Sequence, residues 1–201
     1  MNCIKFLKPG LAAFFLLATV PAFSQLEVAG GGGLASFHEQ NADTQNKGTF
    51  VASVSGNFGH IVSAGFEYGF IPLASANLSS GTTSASGTEH LNTFGGVVRV
   101  GISPSHAIQP FVAIVGGGLR DTVSVNYTTG GGSSGSQSDS ENGGYFGGGG
   151  GVNLAVGGGF GVRPEVRYEH LSLSGGGHTN ELAVLGELYF RFGSTHLSRH
   201  K

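Results

Sequence analysis

The chain carries very little charge for its length. Lys, Arg, Asp and Glu together make up 11% of its 201 residues, against roughly 25% in ordinary soluble domains. Its ten basic residues are scattered rather than clustered. Neutralising a phosphate backbone takes clustered Lys and Arg, so no nucleic-acid partner is expected. There is no tryptophan and one cysteine, Cys3, which excludes an internal disulfide and a cysteine-based metal site. No segment beyond the N-terminal region approaches the roughly 18 continuous apolar residues of a transmembrane helix. The glycine runs are not followed by Gly-Lys-Ser or Gly-Lys-Thr and none opens a helix, so phosphate-loop chemistry has no support.

Glycine is what the chain has in excess, with 38 residues against a usual share of about 7%. Low charge with high glycine suits disorder, but 39% apolar content and 15 phenylalanines do not. The N-terminus has its own logic. Lys5 and Lys8 precede an apolar run from Leu11 to Val20, Pro21 breaks it, and Ala22 and Ser24 place small residues where a signal peptidase reads. Residues 1–24 are therefore expected to be an export signal cleaved before Gln25, with one domain over 25–193 and a short polar tail over 194–201.

Within that domain the recurring pattern has period two, the mark of a strand with two unlike faces. Val162, Pro164, Val166 and Tyr168 alternate with Arg163, Glu165, Arg167 and Glu169. Near the end, Leu182, Val184, Gly186, Leu188, Phe190 and Phe192 alternate with a face carrying Glu181, Glu187 and Arg191. Phe66, Tyr68 and Phe70 share a face opposite Glu67, and Phe94, Val98 and Val100 oppose Arg99. Eight such segments are expected, near 26–37, 49–59, 61–71, 91–103, 108–125, 143–156, 160–173 and 180–192. The fifth and sixth are so glycine-rich that their register is open. Connections after the second, fourth and sixth are tight, at Gly59-His60, Pro104-Ser105-His106 and Gly157-Gly158-Gly159. Those after the first, third and fifth are long and polar, over 38–48, 72–90 and 126–142, and the Ser, Thr and Gly tracts of the third and fifth read as flexible loops. Short turns at one end and long loops at the other are how an outer-membrane barrel of a Gram-negative envelope is built.

The fold class expected is thus all-β, an eight-stranded antiparallel up-and-down transmembrane β-barrel. The apolar faces carry large aromatics near strand ends, including Phe50, Phe58, Phe94, Phe160, Tyr168 and Phe190, as interfacial girdles require. The other faces offer Gly, Ser, Ala and Asn with a few charges, which suits a narrow lumen. Unpaired charge away from water is costly and paired charge is tolerable. Glu67, Arg99, Arg163, Glu165, Arg167, Glu169, Glu187 and Arg191, together with Glu27, are therefore expected to form an interior ion-pair network centred on the seventh and eighth strands. A barrel of eight strands is just wide enough to be filled by side chains, so it is expected to be plugged.

Glu67-Tyr68-Gly69-Phe70 and Arg163-Pro164-Glu165-Val166-Arg167-Tyr168, with the export signal and the eight alternating segments, resemble the small outer-membrane β-barrel family typified by OmpX and the OmpA membrane domain. The resemblance covers residues 25–193. It implies a structural, adhesive or host-interacting role in the outer membrane, assembly by the β-barrel assembly machinery, and contact with outer-membrane lipids. Family members usually finish on an aromatic that this machinery reads, whereas here Phe192 is followed by Gly193 to Lys201.

One constellation could carry chemistry. His170 and Ser172 share the apolar parity of the seventh strand, and Glu181 opens the eighth. A serine, a histidine and an acid that converge in space make a nucleophile, its base and an orienting group. The His-x-Ser spacing resembles that of lipid A deacylase barrels, although Leu173 stands where those enzymes carry Asn, and Glu181 has the opposite parity. His196 and His200 are four apart but lie in the short polar tail, so no metal site is assigned. The reading is a non-enzymatic, monomeric barrel without cofactor that presents loops to an extracellular ligand or surface. The alternatives are a lipid A deacylase-type hydrolase and a soluble periplasmic barrel binding a small apolar ligand.

Overall fold

The computed structural model describes residues 25–38, 45–59, 61–80, 83–101, 107–129 and 132–193. The export signal, its expected cleavage site, His60, the turn at Pro104-Ser105-His106, His196 and His200 lie outside the described residues. Eight strands follow in order: β1 (Gln25–His38), β2 (Gln45–Phe58), β3 (Val62–Ser80), β4 (Thr83–Gly101), β5 (Ile108–Thr128), β6 (Ser134–Gly157), β7 (Phe160–Leu173) and β8 (His178–Phe192). Each pairs antiparallel with its sequence neighbour, and β8 returns to β1 from Leu26↔Phe192 to His38↔Asn180, closing an up-and-down barrel.

The period-two faces part as the hydrocarbon demands. Val166, Leu188 and Phe190 are 48%, 55% and 40% exposed on the outer wall, while Arg167 and Glu187 are 2% and 1% exposed inside. That arrangement corrects the soluble periplasmic alternative, because a soluble barrel buries its oily face and wets its charges. Phe50, Phe94, Phe146 and Tyr168 ring the outer wall at one end, and Phe58, Phe160, Phe190 and Phe192 at the other.

The tight end is made by glycine. Gly158 and Gly159 join β6 to β7 with φ of 61° and 84°, the two left-handed positions of a turn whose twist matches that of its strands. The opposite end departs from expectation. The third and fifth connections are largely strand, not flexible loop: β3 and β4 stay paired to Ser80↔Thr83, and β5 and β6 to Thr128↔Ser134. Their Ser and Thr side chains have little apolar contrast between faces, which hides a strand from periodicity, yet pairing gives the backbone groups there their ladder partners. Because β2–β3 pairing stops at Phe50↔Phe70 and β6–β7 pairing at Gly143↔Leu173, the four strands β3 to β6 rise above the rim as one wall. The ladder slips at Pro72, whose missing N–H suits a bulge, where the wall leaves the barrel.

Inward-facing glycines let the strands close on so small a radius. A Cβ on Gly31 would overlap the carbonyl oxygen of Gly186 on β8, and one on Gly149 would overlap that of Val166 on β7. Gly48 on β2, by contrast, has nothing within 4 Å of such a Cβ. Gly31→Ala is expected to lower the urea unfolding midpoint in lipid vesicles by an amount equivalent to about 1–3 kcal/mol, while Gly48→Ala leaves it unchanged.

Candidate functional site

The inner face holds a continuous charged network. On β7, Arg163, Glu165 and Arg167 follow one another on the luminal parity, each 1–2% exposed. Arg163 pairs through Nη2 with Glu27 of β1 and, at 3.2 Å, through Nη1 with Glu187 Oε2 of β8. Its Nε donates to Asn153 Oδ1 of β6 at 2.7 Å. Its guanidinium also stacks 5.0 Å above the Tyr189 ring. Arg167 forks onto Glu67 of β3, with Nη2 to Oε2 at 2.9 Å, and turns Nε to Glu165 at 2.5 Å. Arg99 of β4 closes the circuit, reaching Glu67 at 3.2 Å and both Glu165 and Glu187 at 3.5 Å. Arg191 sits lower, with Nε 2.7 Å from Glu27.

These contacts reach across the lumen from β7 and β8 to β1, β3 and β4. Glu169 is the weakest member, 3.9 Å from Arg167, and it faces Glu181 directly across the β7–β8 ladder. Glu181 is 3% exposed inside the barrel. Its odd parity on β8 places it on the luminal face with Glu187, although the expected network does not include it. Counting it, the inner face carries six glutamates and four arginines among these groups. Asn153 and Phe111 were missed as network partners because the glycine runs of β5 and β6 hid the register that turns them inward; Tyr189 shares the readable luminal parity of Glu187 and Arg191 on β8 but carries no charge to mark it.

A second inner layer had no place in the sequence reading. Above the charges, Ile71, Leu91, Leu119, Tyr145 and Leu171 pack together across the lumen. The lumen is therefore not uniformly polar. The signal was present: on β7 the inward series runs Glu169, Leu171, Leu173, and on β3 it runs Glu67, Gly69, Ile71, Leu73. Each series changes from charged to oily at the same height.

The candidate catalytic group does not assemble. His170 and Ser172 lie on the outer wall, and Ser172 stands opposite His178. His170 Nδ1 is 2.9 Å from the amide oxygen of Asn180, and its ring lies between those of Phe146 and His178 at 5.6 and 6.2 Å. Glu181 points into the lumen on the other side of the wall, so the acid is not available to orient His170. Among the described residues no group of three or more His, Cys, Asp or Glu side chains is placed to hold a metal ion.

The two kinds of luminal acid predict opposite mutational effects. Glu187→Gln removes the partner of three buried guanidinium groups and is expected to cost about 3–5 kcal/mol of stability. Glu181→Gln relieves a like-charge pair and is expected to be neutral or stabilising. Urea unfolding of both variants in lipid vesicles checks the contrast.

Comparison with known proteins agrees with this architecture. Among curated proteins none matches the chain by sequence. Among solved structures, Ail, the attachment invasion locus protein of Yersinia pestis, superposes with a TM-score of 0.50 at 14% identity, over 85% of this chain and 99% of Ail. Neisserial surface protein A superposes with a TM-score of 0.50 at 12% identity, over 83% and 97%. A major outer membrane protein from Thermus thermophilus gives 0.51 at 10% identity, over 84% and 99%. At such identities the likeness is one of fold. The family described as outer membrane protein beta-barrel domain matches residues 10–190, so the chain belongs to that family and is an outer-membrane β-barrel protein.

Proposed function

We propose that the protein is a non-enzymatic, monomeric outer-membrane barrel with a plugged lumen, which strengthens the envelope and presents its protruding wall to the cell exterior. Export by a signal removed before Gln25 and insertion by the β-barrel assembly machinery belong to this reading. The observation that carries it is the content of the lumen: an ion-paired layer reaching from β7 and β8 to β3 and β4, topped by an apolar layer. Ions crossing the barrel would have to break buried pairs and then pass oily side chains, two barriers in series. What is left for interaction is the outward end, where β3 to β6 extend beyond the rim. The displacement of Glu181 from His170 and Ser172 supports the non-enzymatic reading against the deacylase one.

Purified full-length protein in planar lipid bilayers tests the plug. No steady conductance steps are expected; a stable open channel would contradict the closed lumen.

A further inference from the structure

The barrel mouth holds a bowl of 710 Å³, within the usual range of about 300–1,000 Å³ for small-molecule sites. Its floor is apolar, built from Leu91, Leu119 and Leu171, whose lower sides cap the inner layer. Two acids line its wall, Glu89 on β4 and Asp121 on β5. Leu91 pairs with Asp121 and Glu89 with Val123, so the two carboxylates are diagonal neighbours on the inner face, with backbones about 7–8 Å apart. Both lie above the aromatic girdle, in the protruding wall.

Among the described residues no ion pair holds Glu89 or Asp121, and Asp121 Oδ1 is shielded from solvent without a hydrogen-bond partner. Glu141, directly across the ladder from Asp121, is already occupied by the backbone N–H of Gly175 and adds to the negative charge. Lys47 of β2 acts on Glu89 from across the mouth, and His90 acts on Asp121, neither forming an ion pair. Burial holds both carboxyls above their ordinary range; the Asp121 charge raises Glu89 further, and at Asp121 the backbone N–H of Thr122 opposes the rise while the Glu141 charge adds to it. An oily floor beneath carboxylates that no ion pair holds is complementary to a cation carried on an apolar body.

We propose that this bowl binds cationic amphiphiles, with an ammonium or guanidinium head between Glu89 and Asp121 and an alkyl or aryl body on Leu91, Leu119 and Leu171. The proposal gives a ligand class to the surface role above. It rests on the mouth facing the exterior and not on the lumen being closed, so an open channel in bilayers would leave it standing.

The test uses three probes that share one phenylbutyl body and differ in the charge of the head: 4-phenylbutylammonium, 4-phenylbutanol and 4-phenylbutanoate. Each is titrated calorimetrically into the full-length protein in phosphatidylcholine nanodiscs, with empty nanodiscs subtracted. The ammonium is expected to bind saturably, about tenfold or more tighter than the alcohol, and the carboxylate is expected not to bind. In the double variant Glu89→Gln, Asp121→Asn that preference should disappear while alcohol binding stays within about twofold. Equal binding of ammonium and alcohol by the unaltered protein overturns the proposal without reference to any variant. So does an ammonium preference that survives the double substitution in a protein that still shows the heat-dependent gel shift of a folded barrel.

Discussion

Arg163 and Arg167 sit in the middle of the lumen, 1% and 2% exposed, and the rest of the barrel is arranged around holding their charge. Moving a guanidinium out of water without a partner costs several kcal/mol. Glu27, Glu67, Glu165 and Glu187 supply those partners from four strands, β1, β3, β7 and β8. Since the ligands of one arginine come from strands far apart in sequence, the network forms only when the cylinder closes. It thereby reports on closure, and ties β8 to β1 through Glu27 and Arg191 as well as through the ladder.

Closure in turn depends on what is missing. Eight strands curve so tightly that inner faces meet backbone to backbone, and Gly31, Gly65, Gly117 and Gly149 stand where any side chain would overlap a neighbouring strand. Glycine ordinarily weakens a strand. Here it makes room for the long arginine side chains and lets the carbonyls of adjoining strands approach. The outer wall meets the opposite demand: its apolar side chains have no protein to pack against and are covered by lipid.

Most of this was legible from a parity rule. Once Arg163, Glu165 and Arg167 are read as one face and Val162, Val166 and Tyr168 as the other, the direction of each follows from the solvent. β7 began and ended where alternation placed it, over Phe160–Leu173. Two things stayed hidden, for different reasons. The registers of β5 and β6 could not be read because Gly116–Gly118 and Gly147–Gly151 present the same atom count to both faces. The protruding ends of β3 to β6 could not be read because a wall wetted on both sides needs no alternation, so Ser and Thr there imitate a loop. The inner apolar layer was readable but unread: Leu171 and Leu173 continue the luminal parity of Glu169, and a lumen assumed polar throughout left no reason to look. The site residues divided in the same way. Ion partners share a parity and stand out as candidates, and the opposite parity of Glu181 already separates it from His170 and Ser172.

The direction in which the oily face points is the claim on which the account stands, and the absence of native tryptophan makes it directly measurable. Phe190→Trp and Tyr189→Trp place a single fluorophore at adjacent positions of β8, one 40% exposed outside and one 2% exposed inside. In vesicles of lipids brominated along their acyl chains, the tryptophan at 190 should be strongly quenched and the one at 189 nearly untouched. Quenching at 189 with protection at 190 would contradict the account.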